Sequence, residues 1–378
     1  MRKSYKYRLF TSNSQETALD NMLNSARFLY NCALEQRIVC WKQWRKSINY
    51  YDQANMLKEI RKFNDGIANL NFSASQDVLR RLDKAFQAFF RRIKTGDTPG
   101  FPRFKGRDRF DSITFPAYGD GIKLKNGKIY IQNIGNVRIK LHRDIEGIVK
   151  TVTLRRTNDK WYACFSCEVE SKPLPISNKT VGIDVGLSSF ATLSTGEKIA
   201  NPRFFKTDEF RLIKAQRRLS KKIKGTPGRI KQRKKVSRIY EKIANRRNDF
   251  AHKLSRYLVN VFQIISFEKL NITDMMSNHT KIFGHKLNKS ISDVAWNQFT
   301  NYTTYKAECA GRAVVFVNPR NTSKTCSRCG QLVEKKLSDR VHSCSCGLVL
   351  DRDHNAAINI LSLGLKTLGL PLEAVCFS

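Results

Sequence analysis

Four of the ten cysteines crowd into residues 326–346, as Cys326-x2-Cys329 and Cys344-x-Cys346 with fourteen residues between the pairs. Zn²⁺ needs four convergent thiolate or imidazole ligands in a tetrahedron, and two tight turns running into Cys-Gly, at 329–330 and 346–347, supply such knuckles. The spacing predicts one structural zinc ion held by Cys326, Cys329, Cys344 and Cys346. The second knuckle has one intervening residue instead of two, so His342 remains a candidate substitute ligand. Cys164-x2-Cys167 has the same look but lies in an alternating stretch. In a strand, residues three apart face opposite sides, so those two thiols cannot chelate one ion. Cys32, Cys40, Cys309 and Cys376 read as core or incidental. The start, MRKSYKYRLF, lacks the apolar stretch of a secretory signal, so the expected setting is a reduced, cytoplasmic one, nucleoid-associated when bound to DNA.

Charge narrows the partner. The 378 residues carry 69 Lys+Arg against 32 Asp+Glu, a formal net charge of +37. An excess this large calls for a polyanion, with nucleic acid first. The charge runs through the whole chain rather than one amphipathic helix, which argues against a membrane surface. No apolar run reaches the roughly 18 residues of a membrane span. A hydrophobic content of 41% with 23 Phe excludes a disordered polybasic tail. The length suggests two or three domains with real cores.

Along the chain, YKYRLF (5–10) reads as a strand, and Leu19, Met22, Leu23, Ala26, Leu29 and Tyr30 mark a helix from Ser14 to about Trp44. Ser73 and Gln76 form a capping-box pattern ahead of a second helix with apolar Val78, Leu79, Leu82, Phe86, Phe89, Phe90 and Ile93. The Pro- and Gly-rich loop 96–106 marks a boundary. Short alternating runs over 110–170, with hairpin turns at Asn126-Gly127 and Asn158-Asp159, predict a small antiparallel barrel completed by the N-terminal strand. A linker at Lys172–Ser177 follows. Beyond it, VGIDVG, FATLSTG and EKIANP predict an antiparallel meander, and a basic helical hairpin spans about Asp208 to Asn260 with its turn at 225–228. The strand QIISFE (263–268), a helix around Ser290–Ala310, the strand AVVFVNP (313–319), the cysteines and a closing helix from about Asp353 complete an RNase H-like α/β core.

Three acids stand out. Asp184 ends an apolar strand between Gly182 and Gly186, Glu268 ends another, and Asp353 starts the closing helix with Asn355 alongside. Each alone could be a cap or a strand end reaching water. Together, on consecutive elements of such a core, they predict a Mg²⁺ site, because converging carboxylates repel unless cations neutralise them. Two ions about 3.5–4 Å apart would activate water and stabilise the leaving 3′ oxygen in phosphodiester cleavage. Asp351 is the rival third acid. The basic hairpin holds sixteen Lys/Arg over 211–247 against the single acid Glu241, with Leu212, Ala215, Leu219 and Ile223 as a narrow apolar stripe. Arg217, Arg218, Lys221, Lys222, Arg229, Lys231, Arg233, Lys234 and Lys235 are its candidate phosphate contacts.

The runs VGIDVG, SFEKLN, NPRNTSKTCSRCG and LSDRVHSCSCGLVLDRDHNAAINIL, with the N-terminal YKYRLF, RFLYNCALEQR and TPGFPRFKGRDRF, resemble the TnpB (OrfB) proteins of bacterial insertion sequences along essentially the whole chain. That family is related to the compact type V CRISPR effectors. The resemblance implies an RNA-guided DNA endonuclease with Asp184, Glu268 and Asp353 as the RuvC acids. It also implies a wedge-like barrel (1–12 and 96–174), a helical recognition domain (13–95), a RuvC domain (175–322 and 348–378) and a zinc ribbon (323–347). The implied partners are a guide RNA derived from the transposon end, target double-stranded DNA beside a short adjacent motif, and a separate transposase of the same element. An RNA-guided DNA-occupying repressor and a guide-independent accessory to transposition are the alternatives, and the three intact acids disfavour the repressor.

Overall fold

Two short turns set the geometry of the first half. In the computed structural model, Asn126-Gly127 has φ of 49° and 68°, and Asn158-Asp159 has φ of 49° and 61°. Left-handed backbone at both central residues is what a two-residue hairpin needs to match strand twist. The structure describes residues 1–277, 282–336 and 339–371, which fall into two units, Met1–Glu170 and Ser171–Ser378. Leu174 already hydrogen-bonds Ala310, so the second unit starts before the expected end of the barrel segment at 174. No helix among the described residues is long and apolar enough to cross a membrane.

The first unit contains β1 (Arg2–Phe10), α1 (Asn13–Trp44), α2 (Tyr50–Phe63), α3 (Asp65–Ala68), α4 (Phe72–Thr95), β2 (Ser112–Phe115), β3 (Ile122–Lys125), β4 (Lys128–Ile131), β5 (Gly135–Lys140), β6 (Ile148–Thr157) and β7 (Lys160–Glu168). Its antiparallel sheet runs β2-β6-β7-β1-β5-β4-β3, with the N-terminal strand at the centre. The order ends on β2 and β3, two four-residue edge strands, so the expected barrel is a seven-stranded sheet with two edges. Tyr5, Tyr7 and Leu9 point inward at period two and join Leu19, Leu23, Leu79 and Leu82 in one buried cluster. Cys164 and Cys167 alternate faces on β7 as expected, the first half-buried and the second buried. The α4 cap differs from expectation. Asn71 accepts the Ala74 amide at 2.9 Å, while Ser73 lies inside the helix and donates to Asp120 at 2.6 Å. α2 has no counterpart in the expected elements, since only Gln53 and Leu57 of its fourteen residues are buried and it shows no apolar stripe.

The second unit contains β8 (Thr180–Val185), β9 (Ser189–Leu193), β10 (Lys198–Ala200), α5 (Phe204–Ser220), α6 (Pro227–Val261), β11 (Ile264–Glu268), α7 (Ile272–Ser277), α8 (Ile282–Val294), α9 (Trp296–Ala310), β12 (Ala313–Val317), β13 (Val341–Ser343), β14 (Val349–Asp351) and α10 (Arg352–Thr367). The sheet order is β10-β9-β8-β11-β12, antiparallel across β10-β9-β8 and parallel across β8-β11-β12. Val181, Ile183, Ile265 and Phe267 pack with Leu258 of α6 and Phe299 of α9. Ile264, Val315 and Val317 pack instead with Ile360, Leu361 and Leu365 of α10. The expected helix at 290–310 is two helices, broken at Ala295, whose φ is 54°. In the basic hairpin Leu212 and Ala215 are buried, but Ile223 lies past the end of α5 and is exposed. Thr226 caps α6 and Pro227 opens it, a residue whose missing N–H costs nothing there. Acids outside the run anchor its base: Asp208 pairs with Arg246 at 3.0 Å, and Asp293 with Arg247.

Candidate active site and cysteine cluster

Asp184 stands one residue before the end of β8, and Glu268 ends its parallel neighbour β11. Ile183 and Phe267 are the last paired residues of β8 and β11, so the two acids follow in register on the same face of the sheet. Gly182 and Ser266, two residues earlier, share that face. A Cβ on Gly182 would stand 2.1 Å from the Ala357 carbonyl oxygen and 2.5 Å from the Leu361 nitrogen. The missing side chain therefore lets the backbone of α10 lie directly on β8. Gly364 does the same from the helix side, where a Cβ would meet Ser266 Oγ at 2.0 Å. Asp353 sits four residues before Ala357, one helical turn along the line that touches the sheet. Gly186, the other flanking glycine, makes a milder approach, to the Ser189 carbonyl at 3.1 Å.

The acids act on one another. Burial pushes the Asp184 carboxyl well above the usual range, the charges of Glu268 and Asp353 push it further, and Arg352 partly opposes them. Burial also raises Glu268, against a lowering hydrogen bond from Thr322. Among the described residues the four cysteines are the one group of three or more His, Cys, Asp or Glu side chains spaced for a single ion. The three carboxylates do not form such a group. Asp351 and Asp353 differ in role. Asp351 is the N-cap of α10, accepting the Asp353 and His354 amides at 3.1 Å each, and it pairs with Lys198 at 2.7 Å. Burial raises its carboxyl, but Lys198 and those amides leave it below the usual range. The helix thus begins one residue before Asp353, and the capping role considered for Asp353 belongs to Asp351.

Asn355 does not stand beside Asp353 at the site. It is buried, donates to the Thr325 carbonyl at 2.8 Å and accepts the Ser327 amide at 3.0 Å. Asn359 donates to the carbonyls of Thr322 and Thr325 at 2.8 and 2.7 Å. Sequence reasoning missed Thr322, Asn359 and Lys198. The two asparagines recur at i and i+4 on an otherwise apolar helix face, which was the available signal for Asn359. A lone threonine or lysine carries none.

The four thiols gather as expected. Cys326, Cys329, Cys344 and Cys346 have all Sγ atoms within 4.8 Å of one another, with Cys326–Cys346 and Cys329–Cys344 at 3.6 Å. Four sulfurs about 2.3 Å from one Zn²⁺ stand about 3.8 Å apart in a tetrahedron, so the spacing fits a structural zinc. Gly330 and Gly347 have φ of 76° and 84°, which close the two knuckles despite the short second one. Burial raises the Cys326 thiol, but amides of Cys329 and Arg328 together with His342 outweigh it and leave it at about 5. His342 is buried and outside the sulfur cluster, and its Nδ1 meets Lys335 Nζ. The hairpin of β13 and β14 carries the second knuckle in its loop and runs into α10, so the paired strands extend past the expected boundary at 347. Cys32, Cys40 and Cys309 are half-buried rather than core, and Cys376 lies outside the described residues.

The basic candidates divide. Arg217, Arg218, Lys221, Lys222, Lys231, Arg233, Lys234 and Lys235 are exposed on α5, α6 and their turn. Arg229 is half-buried and donates to the carbonyls of Leu219 and Lys222 at 2.9 and 2.6 Å, where it closes the C-terminal end of α5.

Known proteins agree with this architecture. A family model described as Probable transposase (OrfB of IS605) matches residues 164–279, and one described as Cas12f1-like, TNB domain matches 296–360. A third, described as Helix-turn-helix domain, matches 1–46, although those residues fold as β1 and the single helix α1. A Streptomyces pristinaespiralis protein named "Putative RNA-guided DNA endonuclease" is 34% identical over 374 residues, spanning 97% of this chain and 90% of that protein. "Putative RNA-guided DNA endonuclease InsQ" of Escherichia coli (strain K12) is 31% identical over 379 residues, spanning 96% and 92%. The chain belongs to the TnpB (OrfB) family of IS605-type insertion sequences. Its mixed α/β fold matches the structure of the mini-RNA-guided endonuclease CRISPR-Cas_phi3, with a TM-score of 0.52 at 9% identity over 98% of this chain and 93% of that one.

Proposed function

We propose that this chain is an RNA-guided DNA endonuclease of an insertion sequence, cutting target DNA beside a short adjacent motif by metal-dependent phosphodiester hydrolysis. The observation that carries the proposal is the sheet end where Asp184 and Glu268 follow in register on neighbouring parallel strands and the charge of Asp353, in the first turn of α10, bears on a half-buried Asp184. Three hard oxygen donors of this kind suit Mg²⁺, and Asp184, Glu268 and Asp353 would hold it. When bound, Mg²⁺ supplies the charge that activates water and stabilises the leaving 3′ oxygen. These three residues would hold the ions at one end of the second unit's sheet. The strand order β10-β9-β8-β11-β12 supports an RNase H-like, RuvC-type core in the second unit, with a zinc ribbon inserted before α10. The first unit would combine a wedge-like sheet with a helical recognition part. The partners are a guide RNA from the transposon end, which reads the target by pairing, and double-stranded DNA, of which the protein itself reads only the short motif.

Alanine substitutions test this. Asp184→Ala, Glu268→Ala and Asp353→Ala should each abolish cleavage while leaving RNA-guided DNA binding nearly intact. Asp351→Ala should keep cutting and lose about 1 kcal/mol of stability with the cap. Normal cutting by Asp353→Ala with loss in Asp351→Ala would overturn the choice of third acid, and cleavage undiminished in excess EDTA would sink the metal-dependent mechanism. Recovery of the protein without any discrete RNA would favour a guide-independent accessory to transposition.

A further inference from the structure

Between β12 and the first knuckle, the segment Pro319–Ser327 crosses from the acid-bearing sheet end to the cysteines. Three side chains hold it. Thr322 is buried, and its hydroxyl donates to Glu268 Oε1. Asn359 of α10 holds the carbonyls of Thr322 and Thr325, and Asn355 holds Thr325 and Ser327 on either side of Cys326. The same hydroxyl lies 3.1 Å from the Pro319 carbonyl, but a hydroxyl has one proton, and the charged carboxylate is the stronger acceptor.

We propose that Thr322 is a positioning residue: the strap Pro319–Ser327, fixed to α10 by Asn355 and Asn359, uses the Thr322 hydroxyl to hold one oxygen of Glu268 and aim the other at the metal site. The inference rests on the metal reading above and adds to it a mechanical link between the cysteine cluster and an acid. Glu268 ends its strand, and the side chain of a terminal residue keeps several rotamers unless something outside the strand selects one. The strap, held to α10, makes that selection. Groups that orient metal ligands commonly change affinity by 10–100-fold when removed.

Manganese titration of the purified full-length protein, followed by the electron paramagnetic resonance of free Mn²⁺, reads the site without requiring cleavage. Thr322→Val keeps the shape and loses the hydroxyl, and it should weaken Mn²⁺ binding about tenfold with zinc content unchanged. Thr322→Ser, which restores the hydroxyl, should return affinity to near that of the native protein. Glu268→Gln serves as the control. Native affinity in Thr322→Val alongside weakened binding in Glu268→Gln would overturn the positioning role and leave the proposed function standing. Equal weakening in the Val and Ser variants would also overturn it, because the hydroxyl would then be irrelevant. Native affinity in Glu268→Gln would overturn the metal reading and this inference together.

Discussion

Asp184 carries a cost in the metal-free protein. Its carboxyl is raised well above the usual range, first by burial and then by Glu268 and Asp353. A carboxyl with a raised folded-state pKa contributes stability below its unfolded pKa, and that contribution is lost as pH rises through the folded value. At neutral pH the fold is therefore less stable, through this group, than it is in acid. Asp184→Asn should melt higher than the native protein in EDTA at pH 7, by about 2–4 °C for each kcal/mol relieved, and the gain should vanish below about pH 4. A native-like melting temperature at pH 7 would show that neither burial nor the neighbouring acids press on it. Such a site trades stability for function. The sequence made Asp184 and Glu268 legible because an acid closing an apolar strand breaks the local pattern. It did not separate Asp353 from Asp351 by role, since that depends on which carboxylate bends back to the amides of α10. Thr322 was invisible, because a threonine before a cysteine cluster has no periodicity to violate.

Elements were legible where periodicity and turn chemistry agreed. The meander, β11, β12 and the basic hairpin fall where expected, while α2 buries too little to show a stripe and the break at Ala295 has no Gly or Pro to announce it. Within the hairpin, charge alone could not reveal that Arg229 is spent on closing α5. Arg217, Arg218, Lys221 and Lys222 remain on the exposed side. Replacing these four with Gln should lower the slope of log binding against log salt by roughly 3–4 units, at about 0.7–0.9 per phosphate contact. The loss should be uniform across target sequences, because phosphate contacts position a duplex without reading it. An unchanged slope would make the hairpin a solvated face. The cysteine element makes a separate prediction. Elemental analysis should find about one zinc per chain, and Cys326→Ser should lose it. Structural zinc is folding free energy, so the strap and the start of α10 should then become protease-sensitive. A zinc-free protein with native resistance would contradict this.

At the scale of the whole molecule, the excess of 69 basic over 32 acidic residues acts on both stability and binding. Ion pairs absorb part of it, as at Asp208, Asp293 and Asp83, but acids are too few to neutralise the rest. Like charges repel in the compact state, so the protein without RNA is destabilised by its own field. A bound RNA would cancel that field and stabilise the native state by mass action. Salt should therefore act with opposite signs on the two forms. Raising NaCl from about 50 to 200 mM screens self-repulsion and should raise the melting temperature of RNA-free protein. Over the same range polyanion affinity falls by orders of magnitude, so the melting temperature of the complex should drop toward that of the free chain. Scanning calorimetry of protein expressed with its flanking element DNA, before and after removal of the copurifying RNA, measures both. A shared sign would mean that the charge is balanced locally within each unit and that RNA is not its counterpart. Opposite signs, with convergence at high salt, would identify the bound polyanion as the partner that makes a chain of this composition stable.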